Sequence, residues 1–259
     1  MDFIAIGDNC IDYYIDSNKK YAGGNAVNFA VYINQLGQES SYFGVVGDDE
    51  NGRIIIQSLK EQGIDTSFIR MAEGRTAVTE VQLKNGDRVL GEYDEGVFAN
   101  FSITPQELAW IKQHPYIHTA IWGKCDAYLQ ELHRTSIISY DFANKYDLER
   151  IKEISKYINY GFISYDKDDH VIRSILRVIC ENGADAAIAT LGENGSLAYD
   201  GFDYIRHGVN SVDVVDTLGA GDSFIAGFMY GIAAGKDLKE SLISGTDKAS
   251  KTIQYFGAW

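Results

Sequence analysis

An α/β fold built on a mainly parallel sheet is what this 259-residue sequence predicts, and three observations carry the prediction. Short apolar runs alternate with helix-period segments from the N-terminus onward, which is the β-α-β rhythm of a doubly wound sheet. One stretch breaks the rhythm: residues 76–83 alternate in polarity and pass through Asn85-Gly86 into 88–93, an antiparallel hairpin inside a parallel pattern. The third is segment 213–235, DVVDTLGAGDSFIAGFMYGIAAG, where an acidic turn runs through a glycine-rich elbow into an uncharged helix.

Taken in order, residues 3–6 are an apolar run closed by Gly7, and 10–15 make a second strand before the polar turn at 17–20. Asp8, Asn9 and Asp12 lie on this connection. They could grip hydroxyls through paired donors and acceptors, or Asp8 and Asn9 could only make the turn, a reading that suits Asn9 better than Asp12. Gly23 and Gly24 precede a helix with Val27, Ala30, Val31 and Leu36 on its core side and Gly37 as its stop. Asn25 and Asn28 fall in its first turn. Asn25 could be an N-cap alone, but the two glycines allow a close backbone approach that a cap does not require, which favours a ligand across the helix N-terminus.

Residues 40–46 read as a strand, 52–62 as a helix and 66–70 as a strand. The hairpin that follows could be a lid or an edge extension. Thr104-Pro105-Gln106-Glu107 carries three helix-start signals: a threonine cap, proline at the first helical position and glutamate three after the cap. The strand 116–122 ends in Trp122-Gly123-Lys124, at the ligand-bearing carboxyl end of a parallel strand, where a core tryptophan is preferred to one stacked on a ligand. Asp141, after strand 137–140, is a weaker candidate. After strand 160–164, Tyr165-Asp166-Lys167-Asp168-Asp169 could support magnesium through water or simply begin a helix. Strand 186–190 leads into Leu191-Gly192-Glu193-Asn194-Gly195, by itself a hairpin turn, and 239–255 form the last helix.

The elbow carries the chemistry. Gly219, Ala220 and Gly221 leave backbone N–H groups bare where a helix starts, a natural place for an anion. Asp222 then adds a carboxylate in the first turn, where the dipole favours its charge but where it would repel a bound phosphate; a site needing both is one that moves phosphate. Residues 223–235 carry no charge and place Phe224, Ile225, Phe228, Met229 and Ile232 on most faces, so the helix is central and too short to span a bilayer. Gly227, Gly231 and Gly235 form a stripe that lets a neighbour approach.

A formal net charge of −14 argues against nucleic acid and anionic membranes as partners. The 45% hydrophobic content and 2 prolines describe an ordinary globular protein. Cys10, Cys125 and Cys180 are widely spaced, without a zinc or disulfide pattern, and suit a cytoplasmic protein. The N-terminus shows no basic leader or long apolar segment, so no signal peptide or anchor is expected. The five histidines, at 114, 118, 133, 170 and 207, share no metal-ligand spacing and receive no role.

DTLGAGDSFIAGF resembles the C-terminal signature of the ribokinase-like (pfkB-type) carbohydrate kinases, D-T-x-G-A-G-D-x-F, at every fixed position. The resemblance covers essentially the whole chain. It implies a three-layer α/β/α fold with a mainly parallel central sheet and a small β-sheet lid, formed here by roughly 11–16 and 75–98 within one kinase domain, through which such enzymes often dimerise. It implies Asp222 as the general base and the amides of Gly219, Ala220, Gly221 and Asp222 as the anion hole for the transferred phosphoryl group. GDNCID places the hydroxyl-binding aspartate on Asp12. AGGNAVN resembles the N-terminal glycine motif and implies Gly24, Asn25 and Asn28 as substrate-binding residues, although a common member has lysine at the place of Asn25. TLGENG resembles the nucleotide-binding turn and implies Thr190, Gly192 and Gly195 for ATP, with Mg2+ as the accompanying ion. The family's N-x-x-E falls on Ser164 and Lys167, so no residue is assigned to the metal. In many relatives a monovalent cation is held near Asp216 and Leu218 by a C-terminal loop of which this sequence carries only part.

Within the family, IGDNCIDYY, GGNAVNFAVY, HTAIWG and KTIQYFGAW resemble the bacterial branch that phosphorylates C6 of fructoselysine and similar Amadori products. Glu92, Asp94 and Glu95 follow the hairpin where a lid could present them to the amino-acid tail of such a substrate. The alternatives are a kinase of fructose, ribose or a nucleoside, or a sugar or nucleotide sensor without catalysis.

Overall fold

The computed structural model describes residues 2–84 and 87–259; the predicted Asn85-Gly86 turn lies outside them. In chain order the elements are β1 (Asp2–Ile6), β2 (Cys10–Tyr14), β3 (Lys19–Gly23), α1 (Asn25–Gln35), β4 (Glu39–Phe43), β5 (Val45–Gly47), α2 (Glu50–Glu61), β6 (Arg70–Ala72), β7 (Val78–Lys84) and β8 (Asp87–Asp94). Then come α3 (Pro105–Ile111), β9 (Tyr116–Ala120), α4 (Leu129–Leu132), β10 (Ile137–Asp141), α5 (Leu148–Ser155), β11 (Tyr160–Ser164), α6 (His170–Glu181), β12 (Ala186–Thr190), β13 (Ser196–Tyr199), β14 (Tyr204–His207), α7 (Ala220–Ala233) and α8 (Leu238–Thr252).

The main sheet runs β14-β13-β12-β11-β10-β9-β1-β4. From β4 to β12 it is parallel, and β13 and β14 close it antiparallel. Strand alternation divides the side chains between two cores. Ile4, Ile6, Ala187 and Ala189 join the core under α3 to α6, whereas Phe3, Ala5, Ala186 and Ile188 join the core under α1, α2, α7 and α8. The result is the expected three layers. A separate four-stranded sheet, β3-β2-β7-β8, stands apart from the main one.

The predicted helix starts hold where side-chain chemistry sets them. Thr104 Oγ1 accepts from the Glu107 N–H at 3.3 Å while Glu107 Oε2 accepts from the Thr104 N–H at 2.7 Å, a complete capping box. The predicted strand 40–46 is instead two strands in different sheets: β4 pairs with β1, and β5, beyond Gly44, pairs with β6. The strand expected at 66–70 accordingly shifts to β6, whose partner lies past that break. The hairpin of β13 and β14 carries little local signal, because Asp200-Gly201 separates strands of only four residues each.

Helices α7 and α8 pack through glycines. A Cβ on Gly227 would sit 2.5 Å from the Ser244 carbonyl oxygen and 3.0 Å from Gly245 Cα, and one on Gly231 would meet Ser241 at 2.9 Å. Gly235 differs: it has φ +75° just past α7 and ends the helix, so the small-residue stripe is Gly227 and Gly231 only.

Candidate active site

The carboxyl ends of β1 and β10 face the N-termini of α1 and α7, beside the point where the strand order reverses around β1. Asp222, in the first turn of α7, is held by two amides. Asn25 Nδ2 donates to its Oδ1 at 2.8 Å and Asn28 Nδ2 donates to its Oδ2 at 2.7 Å. Asn25 also donates through Nδ2 to Asp141 Oδ2 at 2.9 Å, and its backbone N–H reaches Asp8 Oδ2 at 2.8 Å. One neutral residue thus touches three carboxylates.

Both amides are oriented from behind. His118 Nε2 meets Asn25 Oδ1 at 3.1 Å and its Nδ1 meets Ser139 Oγ at 2.9 Å. Because both carboxylates draw on Asn25 Nδ2, the Oδ1 needs a donor, so His118 carries its proton on Nε2 and accepts from Ser139. Burial pushes the His118 pKa down to about 3, which keeps the ring neutral. The Trp259 indole N–H donates to Asn28 Oδ1 at 2.9 Å. The sequence marks His118 only as a polar residue inside the buried run YIHTA, and Trp259 only as part of the terminal motif.

Asp12 lies on β2 and is 9% exposed. A Cβ at Gly23 would stand 2.5 Å from Asp12 Oδ2, and one at Gly24, where φ is +114°, would stand 2.7 Å from Asn9 Cα. The two glycines are therefore what lets β2, the Asp8 loop and α1 converge. Gly24 is the N-cap of α1 and makes no side-chain cap; Asn25 is its first helical residue, so its amide is free for the carboxylates. Asn9 is more than a turn residue: fully buried, it donates through Nδ2 to Tyr42 Oη and the Val45 carbonyl, each at 2.8 Å.

The electrostatics of the cluster are those of crowded, buried acids. Desolvation raises the Asp222 pKa well above its ordinary range; the Asn28 hydrogen bond opposes this, and Asp141, Asp8 and Asp12 add to it. Desolvation likewise raises Asp8, and carries Asp141 to about 6 against the pull of its hydrogen bonds.

At the elbow Gly219 is the N-cap of α7 with φ 73°. The N–H groups of Gly221 and Asp222 lie in the first turn and have no intrahelical acceptor, and the space around Gly221 is open. Ala220 departs from the expected set, since its N–H donates to the Thr217 carbonyl at 3.2 Å. Asp216 Oδ1 accepts from the Leu218 N–H at 2.9 Å and Oδ2 from the Gly257 N–H at 2.8 Å. The last residues thereby fold over the elbow, and Tyr32 Oη donates to the Ala258 carbonyl.

Thr190, Gly192 and Gly195 form the turn between β12 and β13, further along the same carboxyl edge of the sheet, with φ 58° at Gly192 and 84° at Gly195. In the acidic segment before α6, Asp168 forms a two-pronged pair with Arg173 at 2.6 and 2.9 Å, and Asp169 caps α6. Among the described residues no group of three or more His, Cys, Asp or Glu side chains is placed to hold a metal ion.

On the small sheet Asp12 pairs with Thr79 and Thr79 with Tyr93, so these share a face. Glu92 and Asp94 fall on the opposite face, lining a cavity of about 340 Å³ with Asp49, Arg75 and Glu80, and Asp94 pairs with Arg75 at 2.8 Å. Glu95 pairs with Lys124 at 2.9 Å. Glu92 and Asp94, expected to meet a substrate tail, are thus turned to the face opposite Asp12, while Glu95 is engaged by Lys124. Trp122 is 47% exposed rather than a core residue, with Lys145 Nζ 5.0 Å above its ring, because the strand stops at Ala120, two residues earlier than expected.

The family model for pfkB family carbohydrate kinases matches residues 1–121 and 122–259. The chain is 42% identical over 255 residues to the fructoselysine 6-kinase of Escherichia coli (strain K12), covering 98% of each. It is 31% identical over 264 residues to the fructosamine kinase FrlD of Bacillus subtilis (strain 168), covering 100% of this chain and 93% of that one. Among solved structures, Arabidopsis thaliana ribokinase complexed with ribose and ATP superposes with a TM-score of 0.85 at 19% identity, over 99% of this chain and 93% of that one. Aminoimidazole riboside kinase from Salmonella enterica gives 0.82 at 20% identity, over 100% and 95%.

Proposed function

The chain belongs to the pfkB family of carbohydrate kinases, and we propose that it transfers a phosphoryl group from ATP to the C6 hydroxyl of fructoselysine or a related Amadori product, with Asp222 as general base. The observation that carries this reading is the Asp222 carboxylate clasped by Asn25 and Asn28 at the mouth of α7, next to unpaired first-turn N–H groups. The choice of acceptor draws on the 42% identity to a fructoselysine 6-kinase.

In this mechanism Asp12 and Asn28, with the backbone at Gly24 and Asn25, hold the sugar so that one primary hydroxyl lies against Asp222. Desolvation and the neighbouring acids make Asp222 a stronger base than a free carboxylate, suited to taking the hydroxyl proton. The N–H groups of Gly219, Gly221 and Asp222 point where negative charge gathers and stabilise it without reorganising. Ala220 contributes less, its N–H being engaged by Thr217. The turn of Thr190, Gly192 and Gly195 would hold the nucleotide. Magnesium ATP supplies the phosphoryl group. With Asp168 and Asp169 committed to Arg173 and the α6 cap, the ion would rest on phosphate oxygens and water, the usual manner of Mg2+.

The small sheet is assigned as a lid over the sugar, with Tyr93 and Asp12 on its inner face, and its outer strands β3 and β8 as the contact of a homodimer; sedimentation of the purified chain tests the dimer. No helix among the described residues is long and apolar enough to cross a membrane, and three free cysteines suit a reducing compartment such as the cytoplasm.

The test is turnover of magnesium ATP with fructoselysine, fructose, ribose and adenosine at equal concentrations. Preference for fructoselysine with a 6-phosphate product supports the reading. Preference for another acceptor overturns the substrate, and silence on all four overturns catalysis.

A further inference from the structure

We propose that Asp8 is the counter-ion for a protonated amine on the substrate, so that the site selects sugars carrying an ammonium group beside the ring. The inference rests on the Amadori reading and deepens it by naming the residue that reads the amine.

The first observation is an unpaired oxygen. Asp8 Oδ2 accepts from the Asn25 N–H at 2.8 Å, but Asp8 Oδ1 is buried without a hydrogen-bond partner. A buried carboxylate oxygen left so is costly unless something arrives to meet it. The second is the charge around it. The charges of Asp8, Asp12 and Asp141 bear on Asp222 and that of Asp8 on Asp141, yet the groups donating to Asp8, Asp141 and Asp222 are neutral: the Asn25 and Asn28 amides and the backbone N–H groups of Asp8, Asn25, Ala26 and Ala143. Burial is the main cause of their raised affinity for protons, with the charge of Asp8 adding to it at Asp141 and Asp222, and a cation placed among them would offset both. The third concerns which cation. No set of three ligands among the described residues is arranged around a metal, so an organic cation, which asks for one or two acceptors, fits better.

Position agrees. The Asp8 charge bears on Asp222 and on Tyr93, which shares a face of the small sheet with Asp12, so Asp8 lies near both the base and that sheet. Asn25 reaches Asp222 with its side chain and Asp8 with its backbone, which separates the two carboxylates by about one residue. A fructosamine has its amine on C1 and its reacting hydroxyl on C6, at opposite ends of the sugar. The hydroxyl at Asp222 leaves the amine for Asp8.

The experiment compares kcat/KM for fructoselysine and fructose in the wild-type enzyme and in Asp8→Asn, which keeps an oxygen for the Asn25 N–H but loses the charge. The ratio favouring fructoselysine is expected to fall tenfold or more, through KM. A ratio unchanged within twofold, or an equal fall on both sugars, overturns the proposal while leaving the Amadori reading intact. A wild-type enzyme that prefers fructose overturns that reading instead. Should Asp8→Asn fail to fold, the charge is removed from the ligand: an ether analogue of fructoselysine, with oxygen replacing the linking nitrogen, should show a KM at least tenfold higher on the wild-type enzyme, and parity overturns the proposal.

Discussion

At the scale of the residue, the site is an acid cluster whose protonation is set by burial, and this gives pH signatures of known sign. The Asp141 pKa stands at about 6 in the fold against an ordinary 3.8, so the folded state binds that proton more tightly than the unfolded chain. Its contribution to stability is present below pH 4 and is lost as pH rises to about 6, by up to about 3 kcal/mol. Asp141→Asn lacks this loss; its unfolding free energy relative to wild type should climb across that window, and a constant difference in urea melts would refute the burial argument. In the proposed mechanism Asp222 takes the proton only when ionised, so kcat/KM should rise with pH through a pKa above the ordinary carboxylate range. His118 acts at one remove, as a positioning residue for Asn25. His118→Leu should lower kcat by about tenfold, the worth of one hydrogen bond, while His118→Gln, which restores a donor, should recover most of it at similar stability. Equal kcat in the two variants would reduce His118 to packing.

At the scale of the element, glycines decide how closely strands and helices meet. Gly23→Ala would press a methyl group against Asp12 Oδ2; KM for the sugar should rise severalfold with little change in Tm, and a large fall in Tm instead would make Gly23 a folding residue. Gly227→Ala gains about 1 kcal/mol of helix propensity but overpacks α7 against α8, at a cost of about 1–3 kcal/mol, so Tm should fall modestly. Elements whose ends are written in side-chain chemistry were legible in sequence: the Thr104 capping box, the Gly37 stop and the runs of β11 and β12 fall where expected. Those defined by partners were not. Nothing local tells that β4 and β5 join different sheets, or that Trp122 lies past the end of its strand. The same limit hid the network. Asp222, Asn25 and Asn28 stand out by motif, but Asp141, His118 and Trp259 join them across 116, 93 and 231 residues of chain.

At the scale of the whole molecule, the fold brings both ends of the chain to one place. β1 delivers Asp8, β10 delivers Asp141, and the final residues return to tie Gly257 to Asp216 and Trp259 to Asn28. Deleting residues 257–259 should therefore lower kcat by tenfold or more while leaving most of the two cores, and most of the unfolding free energy, in place. The α/β class followed from alternation and the hairpin from its turn signal, while the separate small sheet followed from the family resemblance; the face on which Glu92 and Asp94 lie depends on strand pairing that composition does not state. Everything proposed for the site depends on Asp222 as the base of a phosphoryl transfer. The most direct test is the turnover of Asp222→Asn on fructoselysine with magnesium ATP, set beside its KM. The expected result is a loss of about 10²–10⁴-fold in kcat with KM little changed; turnover near that of the wild type would contradict Asp222 as the base.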